Sequence, residues 1–493
     1  MALSDLSRVL DLPAERWLAL GARLQELGVP ALHDRVTSIG ASLFPPACLP
    51  LRRWYLRRGD QPADRAVRLF CLGDSLTAEE ARSALGDALI QELTAVGVLV
   101  PEGDRLVSPL RLIAHEGLLF FTDHLEHGGD AVMGMGPLTV RLLEAALPAR
   151  RVPRSLDLGC GAGVVALLLA RHSDLVVAAD INPRAITLTR VNAALNGVPN
   201  VEVRTGDLFT PVAGESFDRI LCQPPFFPTP EGLDTATYCH GGRHGDEIVK
   251  RLLAELPAHL APKGRAAVMA EWPVLDEEPL ARRVRGLVAQ GVNLLVIESE
   301  GPDVDAFCMG DTAFAHPDFG AEYQRNVVLQ REHMERLGIR GLRVSLLIVE
   351  PAAAATPAAA EGWTGTLEVR DLLRTSLSEP LVDGLVAAHA LIHRGREALL
   401  AANLRLREGA VFASGKEGLV RVVLSAWEPP LEIKLDRGAH RIVELVDAAP
   451  NVRAAAKRFG KEASGARSFP IERFAEVVET MLLAGILEIA PPA

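Results

Sequence analysis

Ser155-Leu-Asp-Leu-Gly-Cys-Gly-Ala-Gly-Val-Val-Ala-Leu-Leu-Leu-Ala170 decides the fold of this chain. Ser155–Asp157 reads as a buried strand, the alternate glycines as a tight turn, and the apolar run that follows as an opening helix. Glycine admits positive φ and lets a ligand approach the backbone with no Cβ in the way. The setting matches a dinucleotide site, but Gly-x-Gly-x-Gly is not Gly-x-Gly-x-x-Gly, which favours a ligand without a pyrophosphate. Alone, the stretch is also what an ordinary tight strand-to-helix turn looks like.

Outward from the turn, between about 137 and 350, short β-branched or apolar runs alternate with helical stretches. Candidate strands are Ser155–Asp157, Val176–Asp180, Val201–Thr205, Arg219–Leu221, Arg265–Ala270, Asn293–Glu298 and Leu342–Val349, the last expected to be antiparallel near the sheet's end. Such alternation predicts parallel βαβ units and an α/β, doubly wound, Rossmann-like sheet. Asp180 ends the second strand roughly 20 residues past the glycines, where doubly wound folds set an acid against ribose hydroxyls. It could equally cap the helix that begins at Asn182-Pro183. Asp207, in Thr-Gly-Asp-Leu-Phe, ends the third strand and is suited to accept from an adenine amino group.

Further motifs continue the series: Asp180-Ile-Asn-Pro-Arg-Ala, Asn192-Ala-Ala-Leu-Asn-Gly197, Gly206-Asp207-Leu-Phe, and Phe217-Asp218-Arg-Ile leading to Pro224-Pro-Phe226. In these residues the chain resembles class I S-adenosylmethionine-dependent methyltransferases of the small-methyltransferase-domain group. That group includes the glutamine N5-methyltransferases of release factors and ribosomal proteins and the guanine N2-methyltransferases of ribosomal RNA. The resemblance covers about 130–350. It implies S-adenosylmethionine as cofactor, with Asp157, Gly159 and Gly161 on its methionine end, Asp180, Ile181 and Asn182 at the ribose, and Asp207 with Leu208 at the adenine. Gly134-Met-Gly-Pro-Leu-Thr139 stands where such enzymes close over the methionine moiety, which places Thr139 at the cofactor.

Gln223-Pro224-Pro-Phe226 occupies the position of the family's Asn-Pro-Pro-Tyr/Phe loop. An amide or aromatic amine has a delocalised lone pair and attacks a sulfonium methyl poorly. A side-chain carbonyl and a backbone carbonyl that accept its two N–H bonds hold it in line and need no strong base. Prolines stiffen such a loop and omit competing donors, and the aromatic can wall a planar acceptor. Gln223 keeps the amide but adds a methylene. The site is then re-cut for another, smaller acceptor, or reached from a shifted loop, or reduced to cofactor sensing.

The loop continues through Phe226-Phe-Pro-Thr-Pro-Glu-Gly to Thr237-Tyr-Cys-His-Gly-Gly-Arg-His-Gly-Asp-Glu247. A long Gly/Pro-rich loop at this edge is where substrate should sit, and Tyr238, His240, Arg243 and His244 are the candidate contacts. His240 is also placed to act as a base on a protonated amine or hydroxyl. Cys239, His240 and His244 lack a second ligand cluster at suitable spacing, so no metal is expected. Glu271-Trp272-Pro273 follows the fifth strand and is placed to line the same pocket, with Trp272 read as core or pocket wall.

With 493 residues, 48% hydrophobic and 23% charged, the chain exceeds one core and has the composition of a soluble protein of two to four domains. Its expected parts are a helical, winged-helix-like region over 1–122 that packs rather than binds DNA, the methyltransferase domain over 123–350, an Ala/Pro linker over 351–364, and an α+β, winged-helix-like accessory domain over 365–493. No apolar run approaches the roughly 20 residues of a membrane span, so no membrane partner and a cytoplasmic location are expected. Six scattered cysteines suit reduced thiols. A net charge of −11 disfavours nucleic acid without excluding a local basic face. Arg453, Lys457, Arg458, Lys461 and Arg467 form a candidate contact face that reads more readily as a solvated helix surface. The expected activity is methyl transfer to a nitrogen of a protein side chain or small amine or amide. A nucleic-acid base methyltransferase and a non-catalytic cofactor-binding regulator are the alternatives, and oligomeric state is open.

Overall fold

The computed structural model describes residues 3–39, 45–124, 129–233, 236–276, 278–316, 318–352, 361–414, 419–425, 427–462 and 469–491. The alternating pattern folds into one eight-stranded sheet: β1 (Val152–Leu158), β2 (Ser173–Asp180), β3 (Val201–Thr205), β4 (Phe217–Cys222), β5 (Leu260–Val274), β6 (Val292–Glu300), β7 (Gly341–Pro351) and β8 (Thr364–Glu368). Their order is β8-β6-β7-β5-β4-β1-β2-β3. Strands β1 to β5 pair in parallel, while β7 runs antiparallel between β5 and β6.

The antiparallel strand is thus internal rather than terminal. Leu346, Leu347, Ile348 and Val349 are all at most 1% exposed, an unbroken apolar run of the kind that a strand covered on both faces requires. The edge belongs instead to β8, which pairs in parallel with β6. The sheet therefore takes a strand from the far side of the expected linker, whose residues 353–360 lie outside the described ones.

Seven helices attend the sheet: α1 (Pro137–Ala146), α2 (Val164–Leu169), α3 (Pro183–Leu195), α4 (Glu247–Glu255), α5 (Leu280–Leu287), α6 (Val304–Ala315) and α7 (Ala321–Arg336). Every residue of α2 is buried, as the Val-Val-Ala-Leu-Leu-Leu run demands. Strand order reverses between β1 and β4, and ligands of doubly wound sheets bind at the carboxyl ends of the strands beside such a switch.

The N-terminal region builds a second core on Trp17, Phe70 and Phe121, completed by Leu188, Val191 and Leu195 of α3. The stretch 77–97, with apolar residues at helical spacing, holds two helices, Ala78–Leu85 and Asp87–Ala95, parted at Gly86 with φ +79. The apolar run over 106–113 is likewise split in two. Arg105–Val107 pairs with Val100–Glu102, and Arg111–His115 pairs with Leu118–Thr122; Ser108-Pro109 stands between, where proline offers no N–H to a ladder.

Residues beyond β8 share the central core, with Leu381, Leu385 and Trp427 in the same apolar cluster as the sheet. Arg265 of β5 reaches Glu350 at 2.7 Å and Asp383 at 2.5 Å. Ile471–Leu483 is helical and is followed by the strand Leu487–Ile489. Of the basic cluster, Arg453 is paired with Glu397 and Arg467 lies outside the described residues. Among the described residues no cysteine forms a disulfide. Among the described residues no helix is long and apolar enough to cross a membrane.

Candidate active site

Asp157, near the end of β1, is 2% exposed, and its Oδ2 accepts from the Ala166 N–H at 2.8 Å. Burial, reinforced by the charge of Asp180, pushes its carboxyl up to about 8. Asp180 ends β2 and grips two backbone donors at 2.9 Å, Gly161 N–H through Oδ2 and Asn182 N–H through Oδ1. Burial raises this carboxyl too, against those hydrogen bonds. Asp180 therefore pins the glycine turn. The helix cap falls to Asn182, whose Oδ1 accepts from Arg184 N–H at 2.9 Å while its Nδ2 donates to the Asp130 carbonyl at 2.9 Å.

The three glycines differ in what they face. A Cβ on Gly163 (φ +79) would stand 2.8 Å from Thr189, so that residue seats α2 on α3, whereas a Cβ on Gly159 (φ +80) would meet nothing within 4 Å. On Gly161 it would lie 3.9 Å from Val132. Gly159 is the open side of the cradle. Two carboxyls beside an open backbone turn suit a ligand that brings an ammonium group and hydroxyls. The residues fit S-adenosylmethionine.

Asp207 follows β3 with its side chain 42% exposed and paired to Arg251 of α4 at 2.6 Å. Leu208 has φ +46, the left-handed region that costs a branched residue about 1–2 kcal/mol and is concentrated at binding sites. Ile181, next to Asp180, is 57% exposed.

Across the crevice, Thr139 in the first turn of α1 donates its hydroxyl to Gln223 Oε1 at 2.8 Å. Pro224 and Phe226 are buried. Gly241 packs so closely on that loop that a Cβ would lie 2.6 Å from the Phe226 Cα. Phe227 meets Phe226 and, from α6, Phe307, each edge-on with ring centroids 5.0 Å apart.

Among the candidate substrate contacts, Tyr238 is half-buried and its hydroxyl is pushed up by burial. His240, Arg243 and His244 are exposed. His240 bridges to Phe227 through backbone alone, the Arg243 carbonyl meets His333 Nε2 at 2.8 Å, and His244 pairs with Glu247 at 2.9 Å. Of the two readings of Trp272, core and pocket wall, its burial favours core: it is 1% exposed and donates to Ser345 Oγ at 2.8 Å. The register Asp157↔Leu221↔Ala267 puts residues 267, 269 and 271 on the face of Asp157, and Trp272 on the other.

Asp123 was invisible to spacing arguments. Buried, it receives the guanidinium of Arg184 at 2.5 and 2.7 Å and the Val132 N–H at 2.8 Å. It thereby ties Val132, beside the turn, to Arg184 of α3, which lies 61 residues along the chain from Asp123, and only an unexplained Asp ahead of Gly128-Gly129 marked it.

Fold and crevice together define a methyltransferase of the doubly wound class. A family model described as methyltransferase small domain matches residues 138–286, and another, a domain of unknown function, matches 45–109. The chain is 34% identical over 246 residues to the release factor glutamine methyltransferase of Koribacter versatilis, covering 45% of this chain and 84% of that protein. It is 35% identical over 194 residues to the enzyme of the same name from Deinococcus radiodurans, covering 36% and 68%. With the ribosomal RNA small subunit methyltransferase C of Alcanivorax borkumensis it shares 36% over 110 residues, 22% of this chain and 29% of that one. Of a relative from Methanocaldococcus jannaschii it spans 59%. The chain belongs to the small-domain methyltransferase family.

Proposed function

We propose that this chain is an S-adenosylmethionine-dependent N-methyltransferase acting on a protein side chain, with the amide nitrogen of glutamine as acceptor. The observation that carries this is the meeting, at one switch point, of the Asp157–Asp180–Gly159 cradle with Gln223 at the end of the adjoining strand. Relatives named for glutamine methylation favour the same acceptor.

S-adenosylmethionine supplies the methyl group. Asp157 and the open turn take its methionine end, Asp180 the ribose hydroxyls, and Asp207 with Leu208 the adenine. Gln223 Oε1 has two lone pairs, and the Thr139 hydroxyl engages one. The other remains to accept an N–H of the acceptor, with the Pro224 carbonyl as second partner, so the nitrogen is oriented and its electron density favoured. Thr139 fixes the longer side chain of Gln223, which is how the extra methylene is accommodated. Phe226 walls the acceptor plane.

Calorimetry with S-adenosylmethionine tests the cofactor. Transfer of labelled methyl into protein, RNA and small-molecule fractions of lysate tests the acceptor. Label in protein, recovered as methylglutamine after proteolysis, is the expected result; label confined to RNA would overturn it.

A further inference from the structure

Glu271 belongs to neither the cofactor cradle nor the Gln223 loop, yet it stands at the edge where both open. Cys222, the last residue of β4, pairs with Val268 of β5. Three residues on, about 10 Å further along the strand, Glu271 reaches the level to which Gln223–Phe226 climbs, on the face shared by Asp157 and Asp180. It is 8% exposed, and its Oε2 is sealed from solvent with no hydrogen-bond partner among the described residues. An unpartnered buried carboxyl oxygen costs free energy unless something else satisfies it.

The surroundings form a polar recess. Asp311 of α6 lies near enough for its charge to act on Glu271, Tyr238 and Cys239 alike. Asp311 itself is engaged from behind: Gln330 of α7 donates to its Oδ2 at 3.1 Å, and Thr312 donates to Gln330 Oε1 at 3.2 Å. Burial pushes Asp311 up to about 6, and burial with the Asp311 charge pushes Glu271 up to about 7. No cation acts on Glu271 among the described residues, and no group of three ligating side chains suited to a metal exists among them. A buried carboxyl with one oxygen left unpartnered calls for a ligand that brings N–H.

We propose that Glu271 is the acceptor-recognition residue: its carboxylate takes a main-chain N–H of the glutamine residue whose side-chain amide Gln223 and Pro224 bring into line. This rests on the glutamine reading of the acceptor. Gln223 and Pro224 already meet both N–H bonds of that amide, so Glu271 serves a donor that the acceptor's main chain brings. Asp311, held by Gln330, adds a second carboxyl from α6. The helical pair α6–α7 thereby sets which side chains enter.

The test uses the full chain with S-adenosylhomocysteine bound, and N-acetylglutamine N-methylamide as the probe, followed by ligand-observed NMR. The wild type is expected to bind the probe, and Glu271→Ala to lose at least tenfold in affinity with cofactor affinity unchanged. In the labelled-methyl assay the same variant should raise KM for the protein acceptor about tenfold with a smaller effect on kcat. Glu271→Gln, which keeps shape and a carbonyl, should recover part of the loss and guards against a folding defect. Equal probe binding by wild type and Glu271→Ala, or no probe binding by either, would overturn the proposal. Cofactor binding without methyl transfer to any protein fraction would instead overturn the glutamine reading.

Discussion

The hydroxyl of Thr139 donates to Gln223 Oε1 at 2.8 Å across 84 residues of chain, joining the cofactor side of the crevice to the acceptor side. Thr139→Val removes that donor at nearly constant volume. Turnover of protein acceptor should fall about five- to tenfold, the worth of one hydrogen bond, with cofactor affinity nearly unchanged. Steady-state kinetics beside calorimetry checks this. The double variant with Gln223→Ala should be no worse than Gln223→Ala alone, because both remove one interaction.

Asp180→Ala deprives Gly161 and Asn182 of their acceptor and the cofactor of its hydroxyl partner. Charge-assisted bonds of this sort contribute roughly 1.5–3 kcal/mol, so affinity for S-adenosylmethionine should fall about ten- to a hundredfold in a calorimetric titration. A change under twofold would remove Asp180 from the ribose.

The raised Asp157 carboxyl makes cofactor affinity depend on pH. Below about 8 the free protein holds this group protonated; a bound ammonium favours the carboxylate. Affinity should therefore climb from pH 6 to 8 and level off above, with a proton released on binding, and Asp157→Asn should flatten the profile. For the protein alone the sign is opposite. A pKa raised by folding adds stability that is complete below the unfolded value and is lost as pH rises through about 8. Thermal melts from pH 6 to 9, with and without cofactor, separate the two effects.

Asn192 sits within a motif read for its resemblance, yet its amide works on the N-terminal region: it accepts from Phe121 N–H at 2.7 Å and donates to the carbonyls of Phe121 and Ala162 at 3.0 and 2.8 Å. Asn192→Ala strands those buried groups and should destabilise the protein by about 2–4 kcal/mol, read as a lower denaturation midpoint.

The strand-turn-helix at Ser155–Ala170 was legible because glycine spacing, an apolar run and a strand-end acid all act within a few residues. Asp180 and Asp207 were legible for the same reason. Asp123 and Asp311 were not, since their partners come from distant segments, and for Trp272 pairing register alone decides between core and wall. Ser108-Pro109 and Gly86 broke elements whose apolar period continues through them. The antiparallel nature of β7 was visible in the short return from the preceding helix, but its place between β5 and β6 depends on which neighbours bury it.

Strand β8 clips onto β6 along five residue pairs, from Leu294↔Thr364 to Glu298↔Glu368, while Arg265 reaches over to Asp383. A protease cut between Ala352 and Glu361 would accordingly not liberate two proteins. The fragments would copurify, held by a ladder of main-chain bonds and a common apolar interior, and the chain lends itself to expression as two complementing halves.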